Sequence, residues 1–401
     1  MTGRPGARPE VAFVVQRYGE GITGGSESLA RAVAERLAGE HRITVFTTCA
    51  RDYVTWRNEL PEGPGRLAGV DVLRFPAEEE RNLAAFNAFA EPLYVRESTH
   101  DEEIEFLRRQ GPHAPRLVEA LRVQKDRFAA VVFFTYLYSP TYWGLEAAPE
   151  RAALVPTTHD EPPLRFGIYR EVFARPRAFG FLTPAEEALV RRRFDVGDRP
   201  CVLVGMGVDV PGRPDVAGFR ARHGLARPYA LYAGRIDAGK GCAEMLAFHE
   251  RYRRERPGGA DLVLIGKLAM PEPRGEGVRY LGFLPEEEKA AAMAGARAVV
   301  CPSAYESLSI VLLEGFALGT PGLVNARSAV LEEHCLRSNA GLFYKGGDEY
   351  GEAMAALAGE DRLKEELGAN GRRYVEAEYR WDVVLDRWRA LLKAATGERL
   401  R

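Results

Sequence analysis

The chain has 401 residues, 46% apolar and 28% charged, with a formal net charge of −2. That length suffices for two domains with separate cores, and the near-neutral balance gives no ground for nucleic acid or an anionic membrane as the main partner. The longest apolar runs, such as VVFF at 131 to 134, are far too short to cross a bilayer. The opening MTGRPGARPE lacks the apolar core of a signal peptide. Five cysteines (Cys49, Cys201, Cys242, Cys301, Cys335) are scattered without metal-ligand spacing, which reads as reduced packing residues in a cytosolic protein. Lysine is scarce, seven residues against 48 arginines, so a lysine in a Gly-rich loop stands out.

A polar tail leads into a strand, VAFVVQ at 11 to 16. The loop RYGEGITGGSE follows, carrying Gly24 and Gly25, then a helix over about 26 to 38 whose Leu29, Val33 and Leu37 form one apolar stripe. Strand, Gly-rich loop, helix is how an α/β sheet brings backbone up to a ligand, although a tight turn without a ligand has the same look. RITVFTT (42 to 48) reads as the next strand and VDVLRFP (70 to 76) as the third. Residues 77 to 127 read as helical and irregular. Strands return at 129 to 136, 153 to 159, 178 to 183 and 201 to 207, with helical patterns between them. Such alternation predicts a parallel sheet covered on both faces.

The stretch VDVPGRPD (208 to 215), with two prolines, a glycine and no periodicity, marks a boundary. Beyond it, YALYAG (229 to 234) predicts a strand, and the loop AGRIDAGKG leads into a helix over about 240 to 256. DLVLIGK (261 to 267), VRYLGF (278 to 283), the helix PEEEKAAAMAG and the strand AVV (298 to 300) continue the series, followed by GLVN and GLFY. The tail from 347 reads as helical. Its last segment, WDVVLDRWRALLKAA (381 to 395), carries a stripe of Trp381, Val384, Leu385, Trp388 and Leu392, which a return onto the first domain would bury.

Chemistry concentrates at residues 301 to 322, CPSAYESLSIVLLEGFALGTPG. A turn-forming CPSAY ends the strand, and a helix is expected from about Ser307 to Gly319. Glu306 falls just before that helix and Glu314 about two turns inside it. The free amides near Leu308 to Ile310 offer an anion site. Carboxylates on both sides of a phosphate would repel it unless they reach past it to hydroxyl groups, as a nucleotide sugar permits. A solvated helix face would show the same two glutamates. Arg235 and Lys240, five apart across a strand-to-helix turn, are placed to neutralise a diphosphate leaving group.

GGSE at 24 to 27, GMGVD at 205 to 209, AGRIDAGKG at 233 to 241 and PSAYESLSIVLLEGFALGTP at 302 to 321 resemble, in order, the motifs of the retaining family-four glycosyltransferases. The resemblance implies an α/β chain of GT-B architecture: two Rossmann-like domains facing across a cleft, with a C-terminal helix returning to the first. The domains are expected at 1–208, joined by the last helix at about 380–401, and at 209–379. By the same resemblance Arg235 and Lys240 bind the donor diphosphate and Glu314 the ribose. Glu306 holds the transferred sugar, with the Ser309 and Ile310 backbone on the distal phosphate. Gly24 and Gly25 approach that phosphate, and His159 contacts the donor sugar. Lys267 and the Gly282–Phe283–Leu284 backbone border the nucleobase.

Leu308 and Ser309 stand where the family usually has an aromatic residue and a glycine, and Met206 replaces its usual asparagine. These departures bear on donor identity. The expected activity is transfer of a hexose or deoxyhexose from a UDP-, GDP-, ADP- or dTDP-sugar to a hydroxyl of a glycan or lipid-linked acceptor, with retention. No Asp-x-Asp pair occurs, so no metal and no cofactor beyond the nucleotide sugar are expected. Envelope or exported polysaccharide assembly in the cytoplasm is the expected setting, with weak peripheral association at the inner face of the membrane at most. The rival is a catalytically silent partner of another transferase, which should have lost charged residues that this chain keeps. A phosphorylase or epimerase on the same architecture fits the glutamate pair less well.

Overall fold

A computed structural model of the protein describes residues 8–209 and 212–397. It divides into two compact units, Met1–Met206 with Leu385–Arg401, and Gly207–Val384.

In the first unit the strands are β1 (Glu10–Val14), β2 (Arg42–Thr48), β3 (Gly63–Leu67), β4 (Val70–Phe75), β5 (Ala130–Phe134), β6 (Ala152–Val155), β7 (Ala178–Phe181) and β8 (Cys201–Leu203). They form one sheet in the order β3-β4-β2-β1-β5-β6-β7-β8. Every pairing is parallel except β3 with β4. The helices are α1 (Gly25–Leu37), α2 (Leu83–Leu93), α3 (His100–Gln110), α4 (Pro115–Gln124), α5 (Ser139–Ala147), α6 (Ile168–Ala174) and α7 (Pro184–Arg193). Consecutive residues of β1, β5 and β6 are buried, as a parallel sheet covered on both faces requires. The sequence reading made VDVLRFP the third strand. It is the fourth, because the edge strand GPGRL pairs antiparallel to it, and its glycines and proline hid it. The strands expected at 153–159 and 201–207 stop at Val155 and Leu203, so His159 and Met206 lie in loops.

The second unit contains β9 (Tyr229–Ala233), β10 (Asp261–Ile265), β11 (Val278–Tyr280), β12 (Val299–Cys301), β13 (Gly322–Asn325) and β14 (Gly341–Tyr344). All pair parallel in the order β11-β10-β9-β12-β13-β14. That is the doubly wound dinucleotide-fold order, reversing direction between β9 and β12. Its helices are α8 (Val216–Arg222), α9 (Cys242–Glu255), α10 (Glu286–Gly295), α11 (Ile310–Ala317), α12 (Ala329–Ser338), α13 (Gly347–Gly359) and α14 (Asp361–Glu378).

Helix α15 (Trp381–Thr396) begins in the second unit and ends in the first. Trp388 is fully buried there, stacked at 5.9 Å on Phe134 and donating its indole N–H to the Gly205 carbonyl at 3.3 Å. Trp381, expected to share that burial, instead lies against Gly207 of the second unit and is only partly covered. All five cysteines are free thiols, four of them buried. Among the described residues no helix is long and apolar enough to cross a membrane.

Candidate active site

The loops that leave the carboxyl ends of β9 and β12 flank the point where strand order reverses, the place where such sheets bind ligands. Asp237 shapes the first of them. One of its oxygens accepts the Lys240 backbone N–H at 2.9 Å, and the other pairs with Arg235 Nε. Gly241 follows in the left-handed region (φ 76°), and a Cβ there would collide with the Pro302 carbonyl oxygen of the β12 loop. Glycine therefore lets the two loops touch. Lys240 Nζ then donates to Glu306 Oε1 at 2.8 Å, so two residues far apart in sequence meet as an ion pair.

Helix α11 begins at Ile310, not at Ser307 as expected, because Ser309 adopts left-handed φ/ψ angles (63°, 73°) and caps the helix. The first helical bond is Leu312 N–H to the Ser309 carbonyl at 3.1 Å, so the opening amides are those of Ile310 and Val311. That conformation suits glycine, the residue that the motif resemblance leads one to expect at this position. His334 supports the turn from below: its Nε2 bonds the Leu308 carbonyl at 2.8 Å and its Nδ1 the Tyr374 hydroxyl at 3.1 Å. Burial lowers the His334 pKa to about 4, which keeps the ring neutral.

The later helix start also moves Glu314, which lies one turn inside α11 rather than two. Its Oε1 accepts from Lys289 Nζ of α10 at 3.0 Å. Burial raises the Glu314 pKa against the opposing pull of that ammonium. Glu314 Oε2 is buried with no hydrogen-bond partner among the described residues. Leaving a buried acceptor unmatched costs about 1–3 kcal/mol, so this oxygen is available to a ligand hydroxyl.

Exposed Lys267 follows β10 and lies over the Phe283 ring, with Nζ 5.8 Å from its centroid. Phe283, after β11, is 65% exposed, an open apolar face on which a base could stack, and Leu284 beside it is half-buried.

The first unit holds the remaining expected residues. Gly24 caps α1 and Gly25 opens it. Buried Glu27 braces that loop, accepting from Arg17 Nη2 at 2.6 Å and Gln16 Nε2 at 3.1 Å, and it lies so close to Gly24 that a Cβ would strike its carboxylate. Half-buried His159 has Nδ1 3.4 Å from Glu161 Oε1, an oxygen that accepts a hydrogen bond from the Tyr136 hydroxyl at 2.8 Å. Glu186, fully buried, anchors the same loop by accepting the Thr158 N–H at 2.5 Å and the Leu182 N–H at 2.6 Å.

Sequence reasoning singled out neither Lys289, Asp237, Glu161 nor His334. The lysine signal that marked Lys240 was tied to a Gly-rich loop, and Lys289 lies inside helix α10, so nothing in the sequence marked it.

The chain has the GT-B fold. It superposes on sucrose-phosphate synthase from Thermosynechococcus elongatus with a TM-score of 0.73, at 19% identity, over 98% of this chain and 100% of that one. HepE of Anabaena, whose structure was solved with UDP and glucose, matches with a TM-score of 0.69, at 13% identity, over 96% and 100%. Residues 219–374 match the family described as Glycosyl transferases group 1. Glycogen synthase of Mycobacterium tuberculosis is 28% identical over 218 residues, 51% of each chain. The chain thus matches about half the length of the curated relatives. The α/β GT-B architecture and the family resemblance read from the motifs are borne out.

Proposed function

We propose that the protein is a glycosyltransferase that moves a hexose or deoxyhexose from a nucleotide sugar to a hydroxyl acceptor, with retention and without a metal ion. The observation that carries this reading is the pair of lysine-held carboxylates at α11, Glu306 with Lys240 (2.8 Å) and Glu314 with Lys289 (3.0 Å). Each lysine lessens the repulsion that a carboxylate would exert on phosphate, and the bare Glu314 oxygen suits a ribose hydroxyl. Kinship with group 1 glycosyl transferases supports the class, and the UDP and glucose of HepE make a UDP-sugar the first donor to test.

In this mechanism the bond from the anomeric carbon to the phosphate oxygen breaks while the acceptor oxygen attacks from the same face. The acceptor proton passes to the departing phosphate oxygen. Arg235, Lys240 and the amides of Ser309, Ile310 and Val311 stabilise the charge that develops on the diphosphate. Glu306 orients the sugar and His159 contacts it beside the reacting carbon. We place the reaction in the cytoplasm, in envelope or exported polysaccharide assembly, with weak peripheral membrane association where the acceptor is lipid-linked. Proton NMR of the product made in excess chelator tests the mechanism: a retained anomeric configuration agrees with it. An inverted bond, or activity that only a divalent ion restores, contradicts it.

A further inference from the structure

A cavity of about 570 Å³ lies wholly within the first unit, between the segment joining α2 to α3 and the residues leading into α6. Small-ligand sites commonly occupy about 300–1,000 Å³. Buried Glu103 ties its two walls together, accepting the Ser98 hydroxyl at 2.7 Å and the Ile168 N–H at 2.9 Å. Phe166 lines the cavity, stacks on Tyr94 at 6.2 Å and meets Phe106 edge-on at 4.9 Å. The cavity is therefore built into the fold.

Three arginines line it: Arg96, Arg165 and Arg170. Arg96 is engaged, bonding both oxygens of Glu102 at 2.6 and 3.0 Å. The side chains of Arg165 and Arg170 are exposed and have no hydrogen-bond or ion-pair partner among the described residues, in a protein where most arginines have one. Glu97, the Tyr94 hydroxyl and Ser98 add groups that can bond sugar hydroxyls. Pro162, on the wall, adjoins Glu161, the residue beside His159 Nδ1.

We propose that this cavity binds a phosphate-bearing sugar or polyol as the acceptor of the transfer, with Arg165 and Arg170 on the phosphate. The acceptor role rests on the glycosyltransferase reading above. Two unpaired guanidinium groups on one cavity match a phosphate dianion in charge and in the number of donors, whereas a carboxylate carries charge for only one of them. The same chemistry occurs on a soluble phosphosugar and on an inositol phospholipid headgroup.

Titration calorimetry with glucose 6-phosphate and with glucose, and co-sedimentation with phosphatidylinositol or phosphatidylcholine vesicles, separate the two sources. One phosphate ester should bind at least about tenfold more tightly than its phosphate-free or choline counterpart. Arg165→Gln with Arg170→Gln should remove that advantage, and the lysine pair should restore part of it, while UDP affinity stays within about twofold. Equal binding by the glutamine variant, or no preference for either phosphate ester, overturns the proposal. A protein that binds UDP but no phosphate ester loses only this inference. One that binds a phosphate ester through both arginines yet binds no nucleotide loses the acceptor assignment.

Discussion

Lys289 of α10 stands 3.0 Å from Glu314 of α11 and occupies one carboxylate oxygen while the other stays buried and bare. This contact fixes the direction in which Glu314 presents its acceptor. It also offsets part of the cost of keeping a carboxylate under partial cover, since burial alone pushes the Glu314 pKa up.

Glu314→Ala and Lys289→Met should therefore both weaken binding of the free nucleoside diphosphate, by about tenfold or more, through loss of a ribose contact present in ground and transition states. Glu306→Ala should spare nucleotide binding and lower the chemical step. Calorimetry on the three variants checks the division of labour. Equal affinity losses at Glu306 and Glu314 would refute it.

Arg235→Ala and Lys240→Ala should each raise the barrier to transfer by about 2–4 kcal/mol. Both side chains are over a third exposed in a loop, so melting temperature should change little. Near-normal turnover in either variant would remove the diphosphate assignment.

Much of this was legible in the sequence because periodicity and glycine placement are local signals. The β9 and β12 loops were placed from their glycines and charges alone, and the structure brings Lys240 to Glu306. What stayed hidden depends on conformation or on contacts distant in sequence. Nothing near Ser309 announced a left-handed serine, and without it the helix start was set three residues early. The clasp between Lys289 and Glu314 requires knowing that α10 and α11 are neighbours, which periodicity does not reveal. The edge strand Gly63–Leu67 escaped because edge pairing tolerates residues that a central strand would reject.

Ser309→Gly should stabilise the protein or leave it unchanged, because glycine adopts the left-handed region without the roughly 1–2 kcal/mol penalty of other residues. Ser309→Val should destabilise it by at least that amount, since a β-branched side chain fits this region poorly. Chemical denaturation of both variants measures the difference. A valine variant as stable as the parent would mean that the turn is not held in this geometry.

Buried His334 and His249 both have their pKa lowered by burial to about 4 from the ordinary 6.5 of a histidine. The unfolded chain takes up these protons first as pH falls, so their stabilising effect is complete above pH 6.5 and is lost progressively toward pH 4. The loss should amount to about 1.4 kcal/mol per pH unit for each ring. Denaturation midpoints should therefore fall between pH 6.5 and 5, where most carboxylates stay ionised, and His334→Gln with His249→Gln should flatten that limb. An unchanged slope would contradict the neutral, buried assignment.

The central claim is that the second unit binds a nucleotide sugar through Lys240 and Glu314. Titrating UDP, GDP, ADP and dTDP into the protein in excess chelator tests it most directly. One nucleotide should bind at one site per chain, about tenfold or more weaker to Lys240→Ala and to Glu314→Ala. Failure of all four to bind, or binding that both substitutions leave untouched, would contradict it.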